Sequence, residues 1–408
     1  MSQLLILALL CLQVFAVTIV VPGHVLAVAD STTQTPPPPG PVNIVLATST
    51  LVAWEGRTVA STNGSLFFDW VGVSARVSVT NNFTLIIVTL TDACIGGNKF
   101  VVRLSGEGLA SLDIANFYTR QGTHDYVLFA AAGRSNFVGA VAEVTVIKAV
   151  EARFTLCYPE NNEGLSIDSF STDGIFVPPT VRTRRMEIIG DSITAGDLVF
   201  CADSMGNHFG TSNSLWADSH AVSYGSRLCT ALGAICSTIA WGGMGLLAND
   251  NTTPFPTMPD VYKSALAWPV ANRGPAAPLD HPFNFSSTAP PDAVLINLGT
   301  NDATFGRFNN ATFTAAFVTR YIDFVVNITK LYSKPDITFF LGFGPMTEVY
   351  APAVSSTITA LIGNGIHAVA INYTLPNGAR CACGHPSDAD HLVMAQTALP
   401  VIKKVMGW

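Results

Sequence analysis

Apolar and polar positions fall into three textures along the chain. Leu4 to Val21 is an almost unbroken apolar run, ended by Pro22 and Gly23. From about Asn43 to Lys148 the pattern is short β-type runs with Gly, Asn and Asp between them. Ala75-Arg76-Val77-Ser78-Val79 alternates with period two, and Leu85 to Val88, Phe100 to Leu104, Tyr126 to Phe129 and Glu143 to Ile147 are further runs of this kind. Several short strands at this spacing, without sustained helical periodicity, predict a β-sandwich. Near Arg184 the texture changes, and strand patterns alternate with helical ones. Strands are expected at Met186 to Ile189, Ile235 to Ala240, Ala293 to Leu298, Ile337 to Phe343 and Ile366 to Asn372. Helices are expected at Ser223 to Leu232, Thr312 to Leu331, Ser355 to Ile362 and His391 to Val405. Five strands with intervening helices predict a parallel, three-layer α/β sheet.

These textures divide the chain of 408 residues into four parts. Residues 1–29 read as a signal peptide, because Ala27-Val28-Ala29 supplies an A-x-A cleavage pattern after the apolar run. That run is also long enough for an uncleaved anchor. Residues 30–41 are a Thr- and Pro-rich linker, stiff and extended. Residues 42–178 form the β-sandwich and residues 179–408 the α/β domain. Charged residues make up only 12% of the chain, so its surface must draw polarity from elsewhere. Sequons at Asn63, Asn82, Asn251, Asn284, Asn310, Asn327 and Asn372 would supply it as glycans on a secreted protein. Net charge is −7 and no basic block exists beyond Arg182 to Arg185, so no nucleic-acid partner is expected. That short basic run reads as a lead-in to a buried strand rather than a processing site. Cysteines past the leader are Cys94, Cys157, Cys201, Cys229, Cys236, Cys381 and Cys383. Most should pair in an oxidising compartment, and Cys229 with Cys236 is a plausible local bridge. The number is odd, so at least one is free or intermolecular. Cys381-x-Cys383 lacks a second Cys/His pair at ligand spacing, so neither metal nor other cofactor is expected.

Four loop segments carry the chemistry. Gly190-Asp191-Ser192-Ile193-Thr194 follows the first strand of the α/β region. A serine there stands at the carboxyl edge of the sheet, where open α/β folds bind ligands, and leads into a helical turn. Taken alone, the segment is equally an ordinary capped turn. Trp241-Gly242-Gly243-Met244-Gly245 leaves a second strand at the same edge, and its glycines would let a backbone N–H approach a substrate closely. Gly299-Thr300-Asn301-Asp302 leaves a third, with Asn301 as a side-chain amide donor, though Asn and Asp also favour plain turns. Gly384-His385-Pro386 lies in the loop after the last strand. A lone histidine there would be a surface residue, but four such elements in this order point jointly to catalysis.

This order of GDSIT, WGGMG, GTND and HPS resembles the SGNH hydrolases. Lys148 to Ala152, Arg184 to Glu187, Pro291 to Asn297 and Gly344-Pro345-Met346 extend the resemblance to carbohydrate esterase family 2. It covers nearly all of the chain after the linker. The resemblance implies a jelly-roll domain joined to an SGNH domain, and removal of O-acetyl groups from polysaccharides such as xylan and glucomannan. It implies Ser192 as nucleophile, His385 as general base, and Gly243, Asn301 and the Ser192 N–H as oxyanion donors, with no metal. The implied partner is an acetylated polysaccharide outside the cell, met by a monomer that has no membrane attachment after signal cleavage. A GDSL-type esterase or lipase on other esters, or an inactive lectin for acetylated glycans, would use the same residues.

One position departs from the family's pattern. SGNH enzymes usually carry an aspartate two or three residues before the histidine, and here Cys383 and Ala382 stand there. Some members of this esterase family work with a Ser-His dyad, the histidine held by a main-chain carbonyl, and the resemblance favours that arrangement. The rival is Asp388-Ala389-Asp390-His391, which has the D-x-x-H spacing but lies beyond the His-Pro element.

Overall fold

The computed structural model describes residues 18–21, 24–27, 43–80, 83–93, 97–106, 109–130, 141–151, 164–200, 217–250, 256–267, 281–375, 381 and 384–408. Within residues 1–29, Thr18–Val21 pairs with His24–Ala27 as a short antiparallel hairpin. Among the described residues no helix is long and apolar enough to cross a membrane.

The expected parallel sheet is present. Its strands lie in the order Ile235–Ala240, Arg185–Gly190, Ala293–Asn297, Thr338–Phe343, Ala368–Asn372, and every neighbouring pair is parallel. In chain order this is 2-1-3-4-5, a doubly wound sheet with its switch point between the first and third strands. Strand alternation divides the core. Ile189, Val294, Ile296, Phe339 and Leu341 face one cluster, while Ile188, Leu295 and Phe340 face the other. Both faces are buried, so Ala293–Asn297 reads as a continuous apolar run. Helices cover the sheet with sequence-encoded caps. Ser223 accepts from Ser226 N–H at the start of Tyr224–Leu232, and Gly233 ends that helix in the left-handed region. Asn310 caps Ala311–Tyr332 in the same way. Ala351–Gly363 begins four residues before the expected Ser355, because Pro352 is compatible with a first helical turn.

The front region consists of two six-stranded antiparallel sheets. One is ordered Leu109–Tyr118, Lys99–Gly106, Ala142–Lys148, Ser74–Thr80, Ile175–Val177, with Val52–Glu55 also on Ser74–Thr80. The other is centred on Leu85–Asp92 and Leu165–Thr172. Val77, Val102 and Val144 of the first share a core with Ile86, Val88 and Ile167 of the second. The five expected strands all lie within observed ones. Leu109–Tyr118 was not expected, and its register shifts at Leu109/Leu112 and Asp113/Ala115 explain why. Such bulges break the alternation by which a strand is recognised.

The two regions are joined by a buried ion pair. Arg57 of the front region lies 3.0 Å from Glu187 on the strand that leads to Ser192, and both side chains are at most 1% exposed. The guanidinium also stacks over Phe283 at 4.3 Å and Tyr262 at 4.6 Å, and donates to the Ser264 carbonyl at 3.0 Å. Glu187 accepts further from the Tyr262 and Tyr332 hydroxyls. Desolvating two charges is costly, and removing one partner leaves the other uncompensated. Arg57→Met should therefore lower stability by about 3–5 kcal/mol in chemical denaturation. A loss below about 1 kcal/mol, the worth of a surface pair, would contradict the burial argument.

Candidate active site

Ser192 stands where the first strand stops. Gly190 ends that strand, and a Cβ there would lie 2.0 Å from Thr194 Oγ1, so only glycine lets the chain turn back over itself. Asp191 is extended (φ −107°, ψ −151°), and its side chain accepts Ile193 N–H at 3.0 Å. This cap starts the short helix Ser192–Ala195. The Tyr224 hydroxyl braces the turn at 2.8 Å from Thr194 Oγ1. Ser192 is 7% exposed and His385 9%, and His385 Nε2 lies 2.9 Å from Ser192 Oγ. Gly384, with φ +80°, turns the loop that delivers the histidine.

The rival histidine lies elsewhere. His391 is fully buried on Asp388–Met406, its ring stacked parallel to Tyr224 with centroids 6.1 Å apart. Its Nδ1 accepts Tyr224 N–H at 3.2 Å. Burial, then the nearby Arg227 charge, lowers it to about 3. Asp388 pairs with Arg227, and Asp390 closes a capping box with Ser387. Residues 382 and 383 lie outside the described residues, as do Cys94, Cys157 and Cys201. Cys229–Cys236 is a disulfide, and Cys381 is also disulfide-bonded.

The other two loops reach the same edge. Trp241 N–H donates to Gly190 O at 3.3 Å, and Met244 N–H donates back to Trp241 O at 3.2 Å. Gly243 sits between them at φ +80°, a conformation glycine adopts freely. Asn301 Nδ2 donates to Met244 O at 3.0 Å and, at 3.4 Å, to Asp191 Oδ2. Asn301 thus ties the glycine loop to the serine turn. Sequence reasoning missed Asp302. Its buried carboxylate accepts the N–H groups of Leu246, Leu247 and Ala248 at 2.7–2.9 Å, pinning the continuation of the glycine loop. The GTND segment contained this residue, but read locally it signalled only a turn. A second missed residue is Glu151, whose Oε1 accepts Gly242 N–H at 2.5 Å.

No protein-family model matches the chain. The acetylxylan esterase/glucomannan deacetylase of Cellvibrio japonicus is 26% identical over 237 residues, 57% of this chain and 60% of that protein. The cellulase/esterase CelE of Acetivibrio thermocellus is 28% identical over 251 residues, 59% of this chain and 28% of CelE. The matches therefore span less than two thirds of either relative's own length. A solved family two carbohydrate esterase from Clostridium thermocellum, in complex with cellohexaose, superposes with a TM-score of 0.70. It is 22% identical, and the superposition covers 88% of this chain and 99% of that one. The chain has the fold of the family two carbohydrate esterases. The resemblance carried by the four loop segments thus extends to the whole architecture.

Within the family two fold, two buried carboxylates flank the serine turn. Burial raises Asp302 above the usual Asp range despite its three N–H donors. Burial raises Asp191 from 3.8 to about 7, with Asp197 and Asp302 adding repulsion against the Ile193 N–H bond. The folded state thus keeps the Asp191 proton after the unfolded chain has lost it. This group's contribution to stability falls as pH rises from 3.8 to about 7. Asp191→Asn retains a capping oxygen without the titration. Its unfolding midpoint should climb relative to the parent protein across that window and hold a constant offset above it. Thermal unfolding against pH measures this, and an offset independent of pH would refute the assignment.

Proposed function

We propose that the chain is a secreted carbohydrate O-acetyl esterase that uses Ser192 as nucleophile and His385 as general base. The observation that carries this reading is the 2.9 Å approach of His385 Nε2 to Ser192 Oγ at the sheet's switch point. Ser192 Oγ attacks the acetyl carbonyl carbon as its proton passes to His385 Nε2. Gly243 N–H, Ser192 N–H and the Asn301 amide, which gives up its long 3.4 Å contact with Asp191 Oδ2, receive the oxyanion. The tetrahedral intermediate collapses, the sugar oxygen leaves with the proton from His385, and acetyl-Ser192 remains. Water, deprotonated by His385, attacks the acetyl carbon; the bond to Ser192 Oγ then breaks, His385 returns the proton to Oγ, and acetate is released. His391 and the carboxylates of Asp388 and Asp390 stay outside this sequence, so the reading is a Ser-His dyad with a main-chain oxygen behind His385.

The substrate assignment draws on the Cellvibrio japonicus relative, whose name is acetylxylan esterase/glucomannan deacetylase. We read the front region, residues 42–178, as a jelly-roll domain and residues 179–408 as the SGNH domain. Secretion is supported by the Cys229–Cys236 disulfide and by exposure of the described sequon asparagines, Asn63, Asn284, Asn310, Asn327 and Asn372.

Two substitutions test the mechanism. Ser192→Ala should abolish acetate release from acetylated xylan and from small acetate esters while the protein remains folded. Undiminished turnover would remove the serine mechanism, and binding of acetylated glycan with no acetate released by the parent protein would make it a lectin. Asn301→Ala should lower kcat by about 10² to 10³, the usual effect of losing one oxyanion donor. A change confined to KM would instead make Asn301 a substrate-positioning group.

A further inference from the structure

The segment that follows the front-region strand Ala142–Lys148 reaches the loops of the site. Lys148 closes the strand Ala142–Lys148, and its N–H and carbonyl bond to Val73 O and Gly72 N–H, both at 2.9 Å. Ala149 donates to Lys99 O at 2.8 Å, so the segment is fixed in the front sheets. Its next groups point the other way. Ala149 O accepts His220 N–H at 2.8 Å, and His220 Nδ1 lies 3.2 Å from Thr194 O in the serine helix. Glu151, 1% exposed, places Oε1 2.5 Å from Gly242 N–H.

We propose that Glu151 is a positioning residue for the oxyanion loop, a role that rests on the esterase reading above. Gly242 and Gly243 have no side chains to restrict their own backbone. Their conformation must be imposed by outside partners. The N–H groups of Trp241 and Met244 are bonded to Gly190 O and Trp241 O, which anchors the loop at its ends. The Glu151 carboxylate anchors it in the middle, through a charge-assisted bond that resists displacement in a buried setting. With those peptides held, the direction of the Gly243 N–H is set by its neighbours. An oxyanion hole works through such preorganisation, because donors that must reorient during reaction lose most of their advantage. The front region therefore supplies part of the catalytic geometry, through one carboxylate that touches no substrate.

The test compares Glu151→Gln and Glu151→Ala in the full chain on a small acetate ester, which needs no polysaccharide contacts. Glu151→Gln keeps an acceptor oxygen and should retain at least half of kcat. Glu151→Ala should lower kcat about 10- to 100-fold, less than outright loss of a donor, with KM unchanged. If Glu151→Ala does not fold, Glu151→Met, of similar volume but without an acceptor, makes the same comparison. A double-mutant cycle with Asn301→Ala separates positioning from general support. If both residues serve one oxyanion hole, the Glu151 effect should shrink in the Asn301→Ala background. Unchanged kcat in Glu151→Ala, or full additivity with Asn301→Ala, would overturn the proposal while leaving the esterase reading in place. A parent protein inert toward every ester would overturn that reading, and this role with it.

Discussion

The Asp302 carboxylate is the interaction on which the arrangement of the site depends. Loops that leave three adjacent strands must meet at one edge, and two of them are short of side chains able to hold themselves. Asp302 gathers three consecutive N–H groups of the loop after Gly243, while the adjacent Asn301 binds Met244 O and reaches Asp191. Two neighbouring residues of one turn thus set the glycine loop and the serine turn relative to each other. A buried carboxylate that accepts three N–H bonds is costly to desolvate, and breaking those bonds would leave its charge uncompensated, so it holds the loop in place.

The same logic extends outward from the site. Arg57 and Glu187 tie the front sheets to the strand that ends at the serine turn, and His220 reaches from the Ala149 carbonyl to Thr194. Charged groups are scarce in this chain, and several of them are spent inside it. Buried pairs of this kind add little net stability compared with apolar packing, yet they penalise any alternative placement of the two regions. The front region is in this sense part of the molecule's frame and not an appendage.

Much of this was legible in the sequence because the periodicities are strong. The helix Ala311–Tyr332 extends its expected bounds by one residue at each end, and the strand Ile235–Ala240 coincides with its expected bounds. Leu109–Tyr118 was hidden by its bulges, and Leu165–Thr172 by the register shift between Ile167 and Ser169 that interrupts its alternation. At the site, the four motif segments singled out Ser192, Gly243, Asn301 and His385 as candidates, because each sits in a loop of recognisable composition at the end of a strand. Asp302 and Glu151 also lie in segments that carry the resemblance, GTND and Lys148 to Ala152, but neither segment signalled a carboxylate that holds the glycine loop. Their importance lies in backbone N–H groups 54 to 91 residues away, which no local pattern encodes. The choice between His385 and His391 was likewise a matter of packing. Spacing favoured the aspartates near His391, whereas burial against Tyr224 removes that ring from the serine.

The central claim is that His385 activates Ser192, and covalent capture of that serine tests it most directly. A fluorophosphonate probe phosphonylates an activated serine and expels fluoride, and the adduct is located by mass spectrometry of the digested protein. The account predicts one adduct per chain, on the peptide that contains Ser192, and its loss when His385 is replaced by Ala but not when His391 is. Labelling that survives in His385→Ala and disappears in His391→Ala would contradict it.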